Sequence, residues 1–383
     1  MGVDDPHPAR SNERHSTLTR RVRTIPGLVV GAIALTVTIP LWVPVTAVVD
    51  AVRARFRLPT TRLLVFAVAW AWLETAGVLA AAAMWVGGRN DDHAVHYRLQ
   101  RWWAANLMHA MRACTGMRIT TSGIESFTPG PVIVLCRHAS LADSLVSAWV
   151  ITSGARQRPR YVLKRELRYD PCLDVVGGRL PNHFLDRTAT DSTAELTALT
   201  ALSTGLSTED AAVIFPEGTR AAPEKRTRAL QRIATTDPVR ADRLGRLRHL
   251  LPPRPAGTAA LLAGTPGADV VVAWHTGFEG FDTFGGILRG LARHAPEVHF
   301  HARRIRRVDV PASTVASEPG EPTDEFTAWL DAVWADLDAE VDAHLAGRAA
   351  PTTVPTTTTA TTTATTTATT TTTTTTTTKG SPA

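Results

Sequence analysis

His138 stands five residues before Asp143 in the stretch Arg137, His138, Ala139, Ser140, Leu141, Ala142, Asp143, directly after the apolar run 132–136. If that run is a strand and a helix begins near Asp143, the two side chains face each other across the turn. The aspartate accepts a hydrogen bond from one ring nitrogen and fixes the tautomer, and the other nitrogen is left to take a proton from an incoming hydroxyl. Such a pair needs no serine or cysteine nucleophile, provided the acyl group arrives already activated as a thioester. The plainer alternative is a helix N-cap at Ser140 or Asp143 beside an uninvolved histidine. Cys136 shares a strand face with His138, so a Cys–His nucleophile pair is conceivable. A cysteine inside an apolar strand is more often a small buried hydrophobe.

A second constellation follows the apolar run 212–215: Phe215, Pro216, Glu217, Gly218, Thr219, Arg220. The sequence reads as a strand, a turn with glycine, and an exposed Glu217 and Arg220. Glycine permits close backbone approach to a ligand, and arginine offers a fork matched to phosphate oxygens. The alternative is a turn in which Glu217 and Arg220 simply pair with each other. Between the two, His183, Phe184, Leu185, Asp186 and Arg187 place another arginine at the end of a strand.

These residues need elements to position them. The chain has 383 residues, 44% of them hydrophobic and 20% charged, a composition that buries a core and excludes a wholly disordered or fibrous chain. The net charge of +6 suits nucleic acid, an anionic membrane surface or phosphorylated substrates. Cys114, Cys136 and Cys172 are too few and too widely spaced for a disulfide framework or a zinc site. From residue 117 onward short apolar runs at 132–136, 160–164, 183–187, 212–216, 269–274 and 297–302 alternate with helical stretches at 141–152, 190–208 and 238–250. That alternation predicts an α/β domain with helices covering a mixed sheet. Phe326, Leu330 and Trp334 repeat at helical spacing near its end and are expected to pack.

The N-terminal portion has a different character. Residues 1–24 are polar and Arg-bearing and are expected to form a disordered basic arm. Residues 27–49 and 63–87 are two nearly uncharged runs, the second broken only by Glu74, and each is long enough for a ~30 Å hydrocarbon core. Arg53, Arg55, Arg57 and Arg62 form a basic hinge between them. Pro40 and Pro44 make a shallow or re-entrant hairpin a competitor to two full spans. Val95, Leu99, Trp103, Leu107 and Met111 then recur every four residues, an amphipathic helix suited either to the membrane interface or to packing on the next domain. His93 and His96, near Asp91 and Asp92, are expected to be solvated, and no metal site is expected. The threonine tract after Arg348 has no apolar face and is expected to be disordered. The boundaries read 1–24 disordered basic arm, 25–88 membrane helical hairpin, 89–116 amphipathic interfacial helix, 117–348 catalytic domain and 349–383 disordered Thr-rich tail.

Over roughly 117–280 the three motif stretches resemble, in order and spacing, the glycerolipid acyltransferase superfamily, the PlsC-like enzymes. His138 and Asp143 match its HX4D catalytic pair, Phe184, Asp186 and Arg187 its second motif, and Phe215 to Arg220 its FPEGTR motif without a mismatch. Lys164, Glu166 and Leu167 look like the segment between the first two. The resemblance implies a membrane-bound O-acyltransferase of the 1-acylglycerol-3-phosphate type, with an α/β mixed sheet preceded by a membrane-embedded hairpin. His138 and Asp143 would be catalytic. Lys164, Arg187, Glu217, Gly218, Thr219 and Arg220 would bind substrate. The implied partners are membrane lipids, acyl-CoA or acyl carrier protein as donor, and a lysophospholipid acceptor, lysophosphatidate first, with no nucleic acid and no cofactor beyond the donor. The catalytic domain is expected on the cytoplasmic face of the cell membrane. Two positions depart from the family pattern. Arg137 stands where the family often has Asn, and Trp274, His275, Thr276 and Gly277 follow the apolar run that usually ends in proline.

Overall fold

The computed structural model describes residues 8–140, 142–186, 192–315 and 321–349. Helices α1 (Pro8–Val37), α2 (Ile39–Val52), α3 (Pro59–Val86) and α4 (His93–Thr115) precede the sheet. The domain itself runs β1 (Arg118–Ser122), β2 (Val132–Cys136), α5 (Asp143–Trp149), β3 (Arg158–Lys164), α6 (Pro171–Val175), β4 (His183–Leu185), α7 (Ser192–Ser203) and β5 (Asp210–Ile214). It continues through α8 (Pro223–Ala234), α9 (Pro238–Leu244), α10 (Pro255–Gly264), β6 (Asp269–Thr276), α11 (Phe284–Arg293), β7 (Glu297–Ile305) and α12 (Asp324–Ala349). The strands form a seven-stranded sheet in the order β1-β7-β6-β2-β5-β3-β4. Every pairing is parallel except β6 with β7, so the expected mixed α/β sheet covered by helices is what the chain forms.

The central strands are apolar throughout because both of their faces are covered. Ile133 and Leu135 of β2, Ala212 and Ile214 of β5, and Val270, Val272 and Trp274 of β6 point to one side, into a core completed by α7, α10 and α12. The alternate residues Val132, Val134, Cys136, Ala211, Val213, Val271 and Ala273 point to the other, towards α4, α5 and α11. The two-residue period of a strand thus divides one run of sequence between two cores. Phe326, Leu330 and Trp334 are buried in the first core, as their spacing predicts.

The helices before the sheet differ from the expectation in two ways. Residues 8–24 are not a loose arm: they are the first turns of α1, and Arg20 and Arg21 bind the buried Asp174 of α6 at 2.6 and 2.7 Å. Residues 1–7 lie outside the described residues, as does the threonine tract from 350. The first apolar run also does not continue as one helix, because α1 and α2 meet at 70°. Pro40 lacks an amide proton and its ring would crowd the carbonyl four residues back, which ends α1 at that point. Trp42 Nε1 donates to the carbonyl of Leu35 in the last turn of α1 at 2.9 Å. Asp50, fully buried, then accepts from the Thr60 amide (2.8 Å), the Thr60 hydroxyl (2.7 Å) and the Thr61 amide (3.3 Å), capping α3.

Glu74, the one acidic residue in α3, faces protein: it accepts from Trp103 Nε1 of α4 (2.8 Å) and from the Cys172 amide of α6 (3.1 Å). Three residues on, Gly77 is tight against α6, since a Cβ there would lie 2.6 Å from Cys172 Sγ. The opposite faces of these helices leave Val30, Ile33, Leu41, Val45, Trp72 and Leu79 exposed. Helix α4 is capped by Asp92 and buries Val95, Leu99, Leu107 and Met108. Through that face it packs on α3 and α5, while Trp102 stays exposed. Buried His96 places Nε2 2.9 Å from the Asn90 carbonyl, and among the described residues no cluster of three His, Cys, Asp or Glu is arranged to hold a metal.

Candidate active site

Strands β6, β2, β5, β3 and β4 run parallel, so their C-terminal ends open onto one edge of the sheet, where open α/β sheets take their ligands. Residues far apart in sequence converge there for that reason alone. His138 follows β2, the FPEGTR stretch follows β5, Lys164 ends β3 and Asp186 follows β4.

Behind β2 the chain turns tightly into α5, and Asp143 is the first residue of that helix. Its Oδ2 lies 3.0 Å from His138 Nδ1 and also accepts from the amides of Ala139 (2.5 Å) and Ser140 (2.8 Å). Its Oδ1 accepts from the Ser140 hydroxyl. Burial by itself raises the pKa of Asp143, which is 1% exposed. The nearby His275, 3.0 Å away, and the hydrogen bond of His138 outweigh that cost and hold the carboxyl well below the usual range. Asp143 thus stays ionised and commits Nδ1 of His138 as a donor. Nε2 is the ring nitrogen left for the cavity that His138 lines. The ring of Phe215 lies 4.9 Å from that of His138.

The FPEGTR turn departs from its expected form at Glu217. Instead of standing exposed, Glu217 is 2% exposed. Its Oε1 accepts from the His138 amide at 2.8 Å and its Oε2 from the Leu251 amide at 3.0 Å. Burial pushes its pKa up to about 8, against the lowering effect of those two amides and of Arg137. Glu217 braces the loop that carries His138 and makes no ion pair with Arg220. A second strut comes from the Ala221 amide, which donates to the His138 carbonyl at 2.7 Å. Gly218 has φ +69°, and a Cβ there would lie 3.3 Å from Arg254 Nε, so its glycine serves both the turn and the close approach. Thr219 faces Lys225, whose Nζ donates to its hydroxyl at 3.2 Å.

The cavity in front of His138 has a volume of about 530 Å³, and Lys164, Asp186, Gly218, Arg220 and Arg254 are in its wall. Glu217 and Thr219 are not among the residues that line it. Arg187 lies outside the described residues. Among those described, neither Arg220 nor Arg254 has an acidic partner, and Arg220 Nη1 is buried with no hydrogen bond. A second chamber of about 240 Å³, lined by Leu99, Trp103, Ala148, Leu173 and Val176, shares Ser144, Leu163, Leu167 and Phe215 with the first. Cys136 is buried in the core and burial pushes its thiol pKa up, which leaves it poorly suited to act as a nucleophile.

Two residues of this neighbourhood escape motif reading. Arg254 sits at the N-terminus of α10 and reaches the cavity from outside every motif. His275, near the end of β6, places Nε2 3.0 Å from Asp143 Oδ1. The signal available for His275 was a polar pair, His275 and Thr276, ending an otherwise apolar strand.

The chain is similar to the crystal structure of the 1-acyl-sn-glycerophosphate (LPA) acyltransferase PlsC from Thermotoga maritima, with 16% sequence identity, a TM-score of 0.39, and coverage of 71% of this chain and 96% of that one. Residues 118–256 match the model of the Acyltransferase family. That segment holds His138, Asp143 and the whole FPEGTR stretch.

Proposed function

We propose that this acyltransferase moves an acyl group from the thioester of acyl-CoA or acyl carrier protein to the free hydroxyl of lysophosphatidate, giving phosphatidate. The observation that carries this reading is the His138–Asp143 pair in the wall of a cavity that also holds two arginines without acidic partners. His138 Nε2 takes the hydroxyl proton as the acceptor oxygen attacks the thioester carbonyl. The C–S bond then breaks, and the imidazolium returns the proton to the leaving sulfur, which departs as the thiol and frees His138. Asp143, already ionised, stabilises that imidazolium. Arg220 and Arg254 suit an acceptor phosphate through charge-assisted hydrogen bonds, with Lys164 on the same wall. The apolar 240 Å³ chamber suits part of an acyl chain.

The enzyme incubated with acyl-CoA and lysophosphatidate is expected to release free thiol. Release only with a different lysophospholipid would replace the acceptor while keeping the chemistry. Charged hydrogen bonds contribute about 1.5–3 kcal/mol each. Arg220→Ala and Arg254→Ala are therefore each expected to raise KM for lysophosphatidate by roughly 10–100-fold, while KM for acyl-CoA changes little. Equal effects on both substrates would place the arginines at the donor.

The exposed apolar faces of α1–α3 support insertion into the membrane with the catalytic domain on the cytoplasmic side, where acyl thioesters are made. The contacts of α3 with α4 and α6 and the 70° bend between α1 and α2 favour a shallow hairpin over a crossing one. High-salt and carbonate washes are expected to leave the protein on membranes, since apolar insertion is insensitive to screening. Reporter fusions after Arg57 and after Arg348 are both expected to read cytoplasmic. Release by salt alone, or an external signal at Arg348, would contradict this arrangement.

A further inference from the structure

The two departures from the family pattern, Arg137 and the 274–277 stretch, meet in space. The Arg137 amide donates to the Ala273 carbonyl at 2.9 Å, and its Nη1 donates to the His275 carbonyl at 2.5 Å. The same Nη1 lies 3.9 Å from Glu279 Oε1. This clamp ties the end of β6 to the end of β2 and delivers the His275 ring behind Asp143. His275 Nε2 is 3.0 Å from Oδ1, on the far side of the carboxylate from His138 Nδ1, which is 3.0 Å from Oδ2.

His275 is 3% exposed, with its ring edge-on to Phe278 at 5.7 Å. Its Nδ1 has no partner among the described residues, and its Nε2 approaches Asp143 off the line of a well-directed hydrogen bond. A buried polar atom left unsatisfied costs about 1–3 kcal/mol, and an apolar side chain would fill the same space without that cost.

We infer that His275 is a positioning residue for acyl transfer, holding Asp143 from the side opposite His138 so that one carboxylate serves two imidazoles. The inference rests on the reading of His138 as the base. With the Ser140 hydroxyl bonded to Oδ1 and His275 Nε2 packed 3.0 Å from it, rotation of the carboxylate is opposed and Oδ2 stays aimed at His138. His275 also draws negative charge towards Oδ1, which weakens the hold of Asp143 on a protonated His138. The ionisable groups around this pair are Asp143 and His138 on the β2–α5 turn, Cys136 and Arg137 at the end of β2, Glu217 behind His138, and Glu279 beyond Arg137.

The test compares His275→Leu, which removes the donor, with His275→Gln, whose amide nitrogen reaches about as far as Nε2. In the leucine variant kcat is expected to fall by roughly 10–100-fold, while KM for acyl-CoA and lysophosphatidate stays within about twofold. The acid limb of its pH–rate profile is expected to move up by about half a pH unit or more, because an unshared Asp143 holds the imidazolium more strongly. Glutamine is expected to restore most of kcat and to return the limb towards its original position. An unmoved acid limb in the leucine variant, or a glutamine variant no better than leucine, overturns the inference. If the leucine variant fails to fold, His275→Asn, too short to reach Asp143, takes its place against glutamine with the same expected contrast. His138→Ala separates the two levels. If it stays active, the base reading itself fails; if it is inactive while His275→Leu keeps the native profile, only the role of His275 fails.

Discussion

Replacing His138 by Ala is expected to lower kcat by about 10²–10⁴-fold, the range that a positioned general base contributes, with the fold intact. Asp143→Asn is expected to act as strongly for a different reason. An amide nitrogen turned towards Nδ1 favours the tautomer with its proton on Nε2, the nitrogen that must accept. The pH dependence has a definite sign. Asp143 is depressed below its ordinary value, so what its charge contributes is fully present above that value. It is lost only as pH falls through the still lower folded value. Within about pH 5–9 the acid limb of activity therefore does not come from Asp143. Cys136→Ala is expected to remain active, because the thiol is buried in the core and does not line the cavity. Steady-state rates of thiol release decide all three. A loss below about fivefold in either His138→Ala or Asp143→Asn would sink the mechanism, and a folded but inactive Cys136→Ala would restore the thiol as nucleophile.

What the sequence revealed of this site followed what the strands display. The runs 132–136 and 269–274 were legible because strands covered on both faces carry uninterrupted apolar residues. The residues just beyond their ends then stood out as candidates for chemistry. His138 and Asp143 could be paired from spacing because the turn between them is local. Long-range partners left no such trace. The first turns of α1 lack an apolar period, and their place is fixed by Asp174, which lies 154 residues beyond Arg20. Arg254 reaches the cavity from a loop with no motif, and His275 faces Asp143 only because β6 lies parallel to β2 with Ala273 opposite Cys136. Glu217 was misjudged for a related reason. A turn glutamate reads as exposed, and the backbone amides that hold it inside are not written in side-chain identities.

Glu217 accordingly supports a prediction about stability as well as rate. Glu217→Ala removes the acceptor for two amides, those of His138 and Leu251, at a buried position. At about 1–3 kcal/mol for each donor left unsatisfied, the variant is expected to be less stable by roughly 2–6 kcal/mol and to lose activity beyond what unfolding explains, because one freed amide belongs to His138. Glu217→Gln keeps the shape but turns an amide nitrogen towards a donor, so an intermediate loss is expected. The pH dependence separates the carboxyl from its packing. Burial raises the folded pKa from an ordinary 4.5 to about 8, so between those values the folded protein holds a proton that the unfolded chain has released. The stability this group contributes is therefore fully present below about 4.5 and is lost as pH rises through about 8, where a charged carboxylate must be kept in the interior. Melting temperatures of the wild type and Glu217→Gln, followed from pH 5 to pH 9, are expected to converge with rising pH as the wild type loses its advantage. A constant gap across that range would mean that Glu217 does not titrate there, and that its carboxylate is held ionised by the two amides throughout.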